Sequence, residues 1–508
     1  MSSEKCLIGV DIGTQGTKAA LFAESGKLLA TAFRPSNLHQ PKPGIVEEDP
    51  ETQFASVCDT IRTCVKTARV DASSVAGIGI DGQMAGILGV GKDGRNVTPY
   101  DSWLDTRCTP YIRKMEQKAG DEVVSKTGCA PSFNHGPKIL WWKGERKEVY
   151  RTIQAFVLPG GYAAMRLCGL DGARAFFDAT CLPFSGFAST ARAAWDPDLC
   201  KTFSVDIAKL PQIPRPHTVV GEVRASAARL CGLKPGVPVI AGCGDAIASF
   251  LACGAVQEGI CVDVAGTASI FATTTTSFRA DTKSRMLICA QSATPGLWHS
   301  FAYVNGGGMN LEWFRREIAN RGMAGAKEAL SFDQLNTLAA NLEATDDLPL
   351  FIPHLRGRVC PNQPHLRGAW AGLTWHHGVA HLYRAVLEGV ALEYALYQKA
   401  VSVQHRSFRP KELRITGGGE KSTVWNALKA DILQTPVRRV ARSEGAALGV
   451  ALLAGFGTAL FRSIPAVARS WIGLGEAVRP NKSRANLYAR RLGWYEALLC
   501  ALNDVVQH

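Results

Sequence analysis

Several features that would define a class of protein at once are missing from this sequence of 508 residues. There is no low-complexity tract, no collagen-like period and no CxxC pair among the 15 cysteines. The missing CxxC pairs argue against a structural zinc site and against a disulfide framework. Scattered cysteines in an odd number are typical of a reducing compartment, so we expect a cytoplasmic protein.

Long hydrophobic runs are also missing. The longest apolar stretch, Ala446 to Phe461, falls short of the roughly 20 residues that a membrane-spanning helix needs, and it predicts a buried helix. The first residues, MSSEKCLIGVDIGT, place no long apolar segment after a basic one, so we expect no secretory signal. We therefore expect no membrane partner.

Charged residues make up only 20% of the chain, against 46% hydrophobic residues, which is ordinary for a folded protein and excludes a disordered one. The 57 Lys and Arg against 44 Asp and Glu give a net charge of +13. The basic residues form short clusters such as Arg438-Arg439, whereas a nucleic-acid surface concentrates them in one stripe. We expect no nucleic-acid partner, and the positive field favours an anionic small molecule.

Two strand–turn–strand units lie far apart in the chain. The first runs from Cys6 to Phe22 and the second from Ile260 to Thr273, and each predicts a β-hairpin. This repetition predicts two related domains that face each other across a cleft. Further predicted strands precede glycine-bearing turns and helical patterns, which indicates an α/β fold: Val75 to Ile80, Val237 to Ala241 and Leu413 to Thr416. We place the boundary in the small-residue segment from Ala246 to Gly259, which gives domains 1–248 and 249–508.

The first hairpin carries candidate metal- and phosphate-binding residues. Asp11, at the end of a strand, can hold a metal ion or its water, while Gly13 lets backbone N–H groups approach phosphate oxygens. Thr14 adds a hydroxyl group and Lys18 a positive charge. No G-x4-G-K-[ST] loop exists in the chain, so this is not a Walker A site. The alternative is a plain hairpin whose glycine serves only the turn.

A second candidate lies at Gly242-Cys-Gly-Asp245, between an apolar strand and a helical apolar run. A carboxylate at the start of a helix either caps the helix or serves as a general base. With Asp11, Asp245 would complete the two acids that phosphoryl transfer needs, one for Mg²⁺ and one for the attacking hydroxyl group.

Consecutive glycines form a third kind of candidate. Thr416-Gly-Gly-Gly-Glu-Lys-Ser422 follows a predicted strand and opens the predicted helix Thr423 to Leu433. Its bare backbone can accept a flat ring or a ribose, and Ser422 is placed either to cap the helix or to bind a nucleotide. Asn305-Gly-Gly-Gly308, before the predicted helix Met309 to Ile318, is a similar device.

Taken together and in this order, the motifs resemble those of the FGGY carbohydrate kinases, within the actin-like ATPase superfamily. The likeness runs from about Leu7 to Ala454 and is greatest to the xylulokinase branch, whose sugar loop is similar to Gly82-Gln-Met-Ala-Gly86. The other segments that carry it are Pro43-Gly-Ile-Val-Glu-Glu-Asp-Pro50, Trp103-Leu-Asp-Thr-Arg107, Ala385-Val-Leu-Glu-Gly389 and Ala446-Ala-Leu-Gly-Val-Ala451. The resemblance implies two actin-like, ribonuclease H-like domains around a central cleft for ATP and sugar.

The resemblance also implies roles for single residues. Asp245 would accept the proton of the sugar hydroxyl group, and Asp11 and Asp245 would hold Mg²⁺. The residues that would bind the nucleotide and its phosphates are Thr14, Gln15, Lys18, Gly266, Thr267, Gly308, Gly418, Gly419 and Ser422. The residues that would face the sugar are Gln83, Met84, Trp103, Asp105, Asn134 and Asp245. For two of these an alternative stays open, since Trp103 could simply pack and Asp105 could form a structural ion pair with Arg107.

The chain departs from the xylulokinase pattern at the sugar site. Ala85 replaces a usual His and Ala246 a usual Asn, so two hydrogen-bonding side chains are lost, which weakens the assignment of xylulose. We hypothesise that Asn134 or His135 replaces part of this contact, the alternative being that both belong to a surface loop. In the second half, Gly357-Arg-Val-Cys-Pro361 replaces a G-E-R-T-P segment and loses its Glu–Arg pair.

The sequence therefore predicts an ATP- and Mg²⁺-dependent kinase for a hydroxyl group of a small sugar, with D-xylulose as the first candidate. Ribulose, erythrulose, glycerol and sugar acids are the other candidate substrates. A non-catalytic ATP-binding regulator and a nucleic-acid-binding ATPase are the alternatives from other classes. The resemblance also allows a homodimer.

Overall fold

Each predicted hairpin begins a seven-stranded sheet in the computed structural model, which describes residues 4–321, 329–442 and 444–506. The strands up to residue 244 are β1 (Cys6–Gly13), β2 (Gly16–Ala23), β3 (Leu28–Pro35), β4 (Glu47–Glu48), β5 (Val75–Gly82), β6 (Leu88–Val90), β7 (Tyr100–Asp101), β8 (Ala155–Val157), β9 (Ala188–Ser189), β10 (Ala194–Trp195), β11 (Val219–Glu222), β12 (Pro238–Ile240) and β13 (Cys243–Gly244). The strands from residue 260 onward are β14 (Ile260–Ala265), β15 (Ser269–Thr275), β16 (Ile288–Gln291), β17 (Trp298–Val304), β18 (Leu350–Ile352), β19 (Ala369–Ala371), β20 (Glu412–Thr416), β21 (Val437–Val440) and β22 (Leu474–Val478).

Helices cover both sheets. Those up to residue 252 are α1 (Pro50–Ala68), α2 (Thr109–Thr127), α3 (His135–Glu145), α4 (Lys147–Thr152), α5 (Pro159–Cys168), α6 (Pro197–Thr202), α7 (Ala225–Cys231) and α8 (Asp245–Ala252). The later helices are α9 (Gly307–Trp313), α10 (Phe332–Ala340), α11 (Val379–Gln404), α12 (Thr423–Leu433), α13 (Ala446–Gly457), α14 (Ile464–Trp471) and α15 (Ala485–Val506). No helix among the described residues is both long and apolar enough to cross a membrane.

The two large sheets share one pattern of pairing. In the first, β1 pairs antiparallel with β2 and parallel with β5, in the order β11-β12-β5-β1-β2-β3 with β13 beside β5. In the second, β14 pairs antiparallel with β15 and parallel with β20, in the order β16-β17-β15-β14-β20-β21-β22. Both hairpins therefore present their turns beside the carboxyl end of a parallel strand, where ligands bind in open α/β sheets.

The longest apolar run of the sequence is a buried helix, as predicted. Residues 446–455 of α13 are all buried, and the helix packs on β1, β5 and α8. Its backbone comes so close to β1 that a Cβ atom on Gly9 would lie 1.8 Å from the carbonyl oxygen of Ala447. A helix of the second half thus lies directly on the first sheet.

Other predicted elements differ from the structure only at their ends. Helix α12 has the predicted bounds, and the predicted strand at 237–241 is β12 at 238–240. The helix predicted from Met309 begins at Gly307 and continues past Trp313 as a π-helix, Phe314–Ala319. The segment from Ala246 to Gly259, where the sequence predicts the domain boundary, begins inside α8 and ends directly before β14.

Candidate active site

The hairpin of β1 and β2 brings an acid and a base side by side. Asp11 pairs with Lys18 in the strand register, and the Lys18 Nζ atom donates a hydrogen bond of 3.2 Å to the carbonyl oxygen of Glu444. At the turn, the Thr14 hydroxyl group accepts a 2.9 Å bond from the indole N–H of Trp103. Gln15, the other turn residue, is exposed. The turn is therefore fixed by contacts and still accessible from solvent.

Asp245 is the first residue of α8 and follows a sharp bend of the chain. Gly242 has a φ of +77°, and a Cβ atom there would lie 1.8 Å from the carbonyl oxygen of Ile80, so the bend requires glycine. The Asp245 Oδ1 atom accepts a 2.7 Å bond from the N–H of Ala246. The half-buried carboxylate thus contacts the helix start and keeps its other oxygen for a ligand.

Acidic side chains cluster where the two parallel strands and the bend meet. The register of β1 and β5 places Asp11 beside Asp81, and β13 leads from there to Asp245. Burial and the charge of Asp11 raise the pKa of Asp245 to about 7. Burial also raises the pKa of Asp11, against the opposing effects of a bond to Asp81 and the charge of Lys18. Carboxylate oxygens are the donors that Mg²⁺ prefers, so the pair Asp11 and Asp245 suits that ion.

The loop after β5 and the loop around Trp103 form one wall of a cleft. Gln83 is buried, and its amide donates a 3.1 Å bond to Glu48. Met84 is also buried and packs against Gly244, one residue before Asp245. Trp103 is half-buried and lines a cavity of about 270 Å³ with Ala85 and other residues of both halves. The predicted sugar loops therefore meet at the base candidate and at this cavity.

Asp105 does not face the cavity. It is fully buried, both of its oxygens bond the guanidinium group of Arg107, and its Oδ2 atom accepts a further bond from the N–H of Val46. Because these contacts occupy both oxygens, Asp105 forms the structural ion pair that was the alternative to sugar contact. It stabilises the loop that carries Trp103.

Asn134 and His135 have different surroundings. Asn134 lines the cavity, is 4% exposed, and its Oδ1 atom has no hydrogen-bond partner among the described residues. The His135 ring is fully buried, and its Nε2 atom lies 2.6 Å from the carbonyl oxygen of Met84. Asn134 is therefore available to a ligand, and His135 holds the loop of Met84 in place.

A second cavity, of about 680 Å³, lies at the end of the second sheet. It brings together all the nucleotide candidates of the second half: Gly266, Thr267, Gly308, Gly418, Gly419 and Ser422. The β14–β15 turn packs against the start of α9, with the N–H of Gly308 donating a 2.9 Å bond to Gly266. Ser422 caps α12 through a 3.3 Å bond from the N–H of Trp425.

Sequence reasoning missed part of this cavity wall. Asn336, on α10, accepts bonds from Ser422 Oγ and Tyr383 OH at 3.1 and 3.2 Å, and Phe332 lies on the same helix. No glycine or acidic motif marks these residues, so the sequence carried no signal for them. Only the packing of α10 against α11 and α12 reveals them.

Two sets of ion pairs fix the surroundings of the cavity: one joins the two halves of the chain, and the other lies within the second half. Arg285, in the second half, pairs with Glu116 and Asp121 of α2 in the first half. Arg358, within the segment that departs from the usual pattern, pairs at 2.8 Å with the buried Glu393 of α11. A bracing ion pair is thus present although this segment lacks the usual Glu–Arg pair, as the sequence predicts.

Comparison with known proteins agrees with this geometry. Residues 6–252 match the N-terminal domain, and residues 261–458 the C-terminal domain, of the FGGY family of carbohydrate kinases. The chain belongs to this family, as its motifs predicted. It is an ATP-dependent carbohydrate kinase.

Similar proteins cover nearly the whole chain. A xylulose kinase of Staphylococcus epidermidis is 27% identical over 501 residues, which is 97% of this chain and 96% of that protein. A gluconokinase of Bacillus subtilis is 27% identical over 469 residues, 91% of this chain and 89% of that protein. The crystal structure of xylulose kinase from Rhodospirillum rubrum superposes with a TM-score of 0.90 at 26% identity, covering 99% of this chain and 100% of that one. The predicted two-domain α/β fold is confirmed.

Proposed function

We propose that this kinase transfers the γ-phosphoryl group of ATP to a hydroxyl group of a ketopentose, with D-xylulose as the first candidate. The observation that carries this proposal is Asp245, a half-buried carboxylate with a raised pKa that lies beside Asp11 and next to the loop of Met84. A base near that loop serves a sugar hydroxyl group, and a neighbouring acid serves the phosphate side. The xylulose kinases among the similar proteins support the choice of sugar.

In the proposed reaction, Asp245 accepts the proton of the attacking hydroxyl group. A carboxylate beside the attacking hydroxyl group is a suitable proton acceptor for this step. Asp11 and Asp245 hold Mg²⁺, which when bound neutralises charge on the phosphate oxygens. Lys18 adds a positive charge on the same side, as phosphoryl transfer requires.

The two hairpins cradle the nucleotide from opposite sides. Thr14 and Gln15 bind phosphate oxygens from the first half, and Gly266 and Thr267 bind them from the second. The base and ribose lie in the 680 Å³ cavity against Gly308, Gly418, Gly419 and Ser422. Gln83, Met84, Trp103 and Asn134 orient the sugar, and closing of the cleft excludes the water that would otherwise hydrolyse ATP.

A sugar acid is a second candidate substrate, favoured by one residue. Arg356 lines the 270 Å³ cavity, is exposed, and has no carboxylate partner among the described residues. A guanidinium group in that position is suited to bind a carboxylate. The gluconokinases among the similar proteins make gluconate the first acid to test.

ADP release with Mg-ATP across ketoses, polyols and sugar acids tests the two candidates. The proposal predicts the highest kcat/KM with D-xylulose, which Arg356→Ala leaves unchanged. A highest kcat/KM with gluconate that Arg356→Ala lowers about 10-fold or more would favour the sugar acid. ATP binding with no sugar phosphorylated would contradict both candidates and favour the regulator.

Two further proposals concern the setting of the enzyme. We propose a cytoplasmic protein, supported by the scattered cysteines of the sequence. We keep the homodimer as a prediction. Light scattering on the purified chain tests it, and a mass near 54.6 kDa would contradict it.

A further inference from the structure

Three of the 11 histidines of the chain lie within a segment of six residues that no step of the proposed function uses. They are His376, His377 and His381, which stand between the end of β19 and the first turn of α11. His377 and His381 have the H-x3-H spacing that is common among zinc ligands. Spacing alone does not make a metal site, which needs further ligands from elsewhere in the fold.

The pairing of two short strands brings a carboxylate to these histidines. Strands β18 and β19 pair antiparallel with Leu350 opposite Ala371, so the segment before β18 and the segment after β19 leave the sheet at the same end. Asp347 lies on the first of these segments, and its Oδ2 atom is 3.0 Å from the Nε2 atom of His376. An acid and the histidines, distant in the sequence, are therefore neighbours.

The ligand atoms converge on one point. Among the described residues, Asp347, His376 and His377 are the one group of three metal-ligating side chains whose ligand atoms all lie within 4.8 Å of one another. The ring of His377 lies 4.5 Å from that of His376 and 5.1 Å from that of His381. These four residues, here called the histidine cluster, supply the four ligands of a tetrahedral Zn²⁺ site.

The backbone that carries the histidine cluster is fixed on both sides. The buried Arg491 donates bonds of 2.8 and 3.1 Å to the carbonyl oxygens of Leu348 and Pro349, directly after Asp347. On the other side, the N–H of His381 bonds the carbonyl oxygen of Gly378 at 3.0 Å, where α11 begins. Zn²⁺ bonds of about 2.0–2.1 Å place two ligand atoms of a tetrahedron about 3.4 Å apart, so only a short movement of the side chains completes the site.

The side chains are free to make this movement. Asp347 and His376 are exposed, which gives an ion a path from solvent. The Nδ1 atoms of His377 and His381 accept bonds of 3.1 and 3.2 Å from the N–H groups of Thr374 and Gly378. Such bonds between neutral groups near water are weak, and a metal ion competes with them.

The donors define the kind of ion. Imidazole nitrogen suits Zn²⁺, Ni²⁺ and Cu²⁺, whereas Mg²⁺ prefers oxygen and keeps much of its water. The histidine cluster offers three imidazoles and one carboxylate, whereas Asp11 and Asp245 offer carboxylates alone. The two places therefore select different metals.

We propose that the histidine cluster binds one transition-metal ion of the Zn²⁺ class, which ties the start of α11 to the loop before β18. The inference rests on none of the residues of the proposed phosphoryl transfer. An ion that closes a long loop stabilises the folded chain, because it binds the ligands where the fold holds them together. Helix α11 also carries Tyr383 of the 680 Å³ cavity, so the ion fixes a helix of the nucleotide-binding half.

Equilibrium dialysis of the chain without an affinity tag against Zn²⁺, with Mg²⁺ in excess, tests the proposal. All variants carry Cys500→Ser, because an exposed thiol is itself a zinc ligand. We expect one tightly bound Zn²⁺ per chain. His377→Ala and Asp347→Asn each weaken it at least about 10-fold, the loss that is typical already of residues one step removed from a metal.

The control is His365→Ala, which removes an exposed histidine of the same half that lies outside the histidine cluster. We expect it to leave the Zn²⁺ affinity within about 3-fold of the starting protein, since it removes no ligand. Thermal unfolding without Zn²⁺ shows that the variants fold, and Asp347→Asn keeps the shape of its side chain. Added Zn²⁺ raises the Tm of the starting protein and raises that of His377→Ala less.

Three results would overturn the proposal. The first is a chain that binds no Zn²⁺, which needs no substitution at the site. The second is an equal affinity in His377→Ala and His365→Ala. The third is an unchanged affinity in Asp347→Asn, because the ion would then lie on the histidines alone and join no second segment. Sugar phosphorylation is measured separately, so its absence would contradict the proposed function and leave this inference standing.

Discussion

Asn134 lines the 270 Å³ cavity in which we propose that the sugar binds, and it keeps an unused hydrogen-bond acceptor. Its buried Oδ1 atom has no partner among the described residues, whereas the neighbouring His135 contacts Met84. Leaving a sugar hydroxyl group unpaired there costs about one hydrogen bond. Asn134 thus offers a hydrogen bond of the kind that the chain loses where Ala85 and Ala246 replace the usual His and Asn.

We therefore predict that Asn134→Ala raises the KM for the sugar about 10-fold and leaves the KM for ATP unchanged. Steady-state ADP release measures both constants. Ser125→Ala is the control, because Ser125 is exposed on α2, bonds within that helix and does not line the cavity. An unchanged sugar KM in Asn134→Ala would remove this residue from the sugar site.

Glu393 makes stability depend on pH in the acid range. Burial alone would raise its pKa, but the charges of Arg358 and His354 and a bond from Tyr495 outweigh burial and hold the pKa below its usual range. Its folded-state pKa lies below the unfolded value, so its contribution is complete above about pH 4.5 and is lost as the pH falls further. Stability falls in acid because, as the pH decreases, Glu393 takes up a proton in the unfolded chain at a higher pH than in the folded protein.

We predict that Glu393→Gln unfolds about 3–5 kcal/mol more easily at pH 7, since Arg358 loses its buried partner. Its free energy of unfolding then falls less steeply than that of the wild type below pH 4.5. Urea unfolding at several pH values measures this slope. Glu496→Gln, in the surface pair with Lys399, serves as control, and a wild-type slope in Glu393→Gln would contradict the account.

At the scale of single residues, the sequence located candidates near strand ends and glycine turns and missed those on helices such as α10. Asp11 and Asp245 were predictable as candidates because each acid lies near a strand end and within two residues of a glycine, a pattern that is local in the chain. Asp105 was ambiguous, because no local pattern tells a ligand-facing acid from one paired with Arg107. Asn336 carries no local signal, since helix packing creates its surroundings.

Helix α13 is the element on which the position of the cleft depends. It belongs to the second half, yet it packs on β1 and β5 of the first sheet and on α8, which begins at Asp245. Its contact with β1 is backbone to backbone at Gly9. A side chain there separates the helix from the strand that carries Asp11.

We predict that Gly9→Ala lowers the free energy of unfolding by about 1–3 kcal/mol or more, because the new methyl group overlaps the carbonyl of Ala447. Gly493→Ala, in the exposed part of α15 with nothing within 4 Å, is the control. We expect it to be neutral or to stabilise by up to about 1 kcal/mol. Urea unfolding compares them, and equal stability of the two variants would contradict the close packing of α13.

Elements with a strong local pattern were predicted well. Both hairpins, the buried apolar helix and α12 follow from alternation, glycine turns and continuous apolar runs. The π-helix after α9 was not predicted, since its hydrogen-bonding pattern has no separate signature in the side chains. Short pairs such as β4 with β7 depend on contacts between distant segments and leave no period to detect.

At the scale of the whole molecule, the two family domains are joined across the cleft by charge. Arg285 lies within the C-terminal match, and its partners Glu116 and Asp121 lie within the N-terminal match. Asp121 is largely exposed, so the pair contributes little to overall stability. We expect it to hold the two halves together at the cleft, because it joins residues of both domains.

We predict that Arg285→Ala changes the free energy of unfolding by less than about 1 kcal/mol but increases the radius of gyration in small-angle X-ray scattering. Arg174→Ala, which breaks a surface pair with Asp171 inside the first half, is the control. An identical radius of gyration for Arg285→Ala and the wild type would show that this pair does not hold the cleft.

The central claim is that Asp245 is the base of phosphoryl transfer to a sugar. The most direct measurement is kcat for D-xylulose with Mg-ATP in the wild type and in Asp245→Asn, with ATP binding measured beside it. Asp206→Asn is the control, since Asp206 also accepts a bond at a helix start but lies on the surface. The account predicts a loss in kcat of about 100- to 10,000-fold for Asp245→Asn alone, with ATP still bound. A kcat within about 3-fold of the wild type would contradict it, because a general base contributes far more than that.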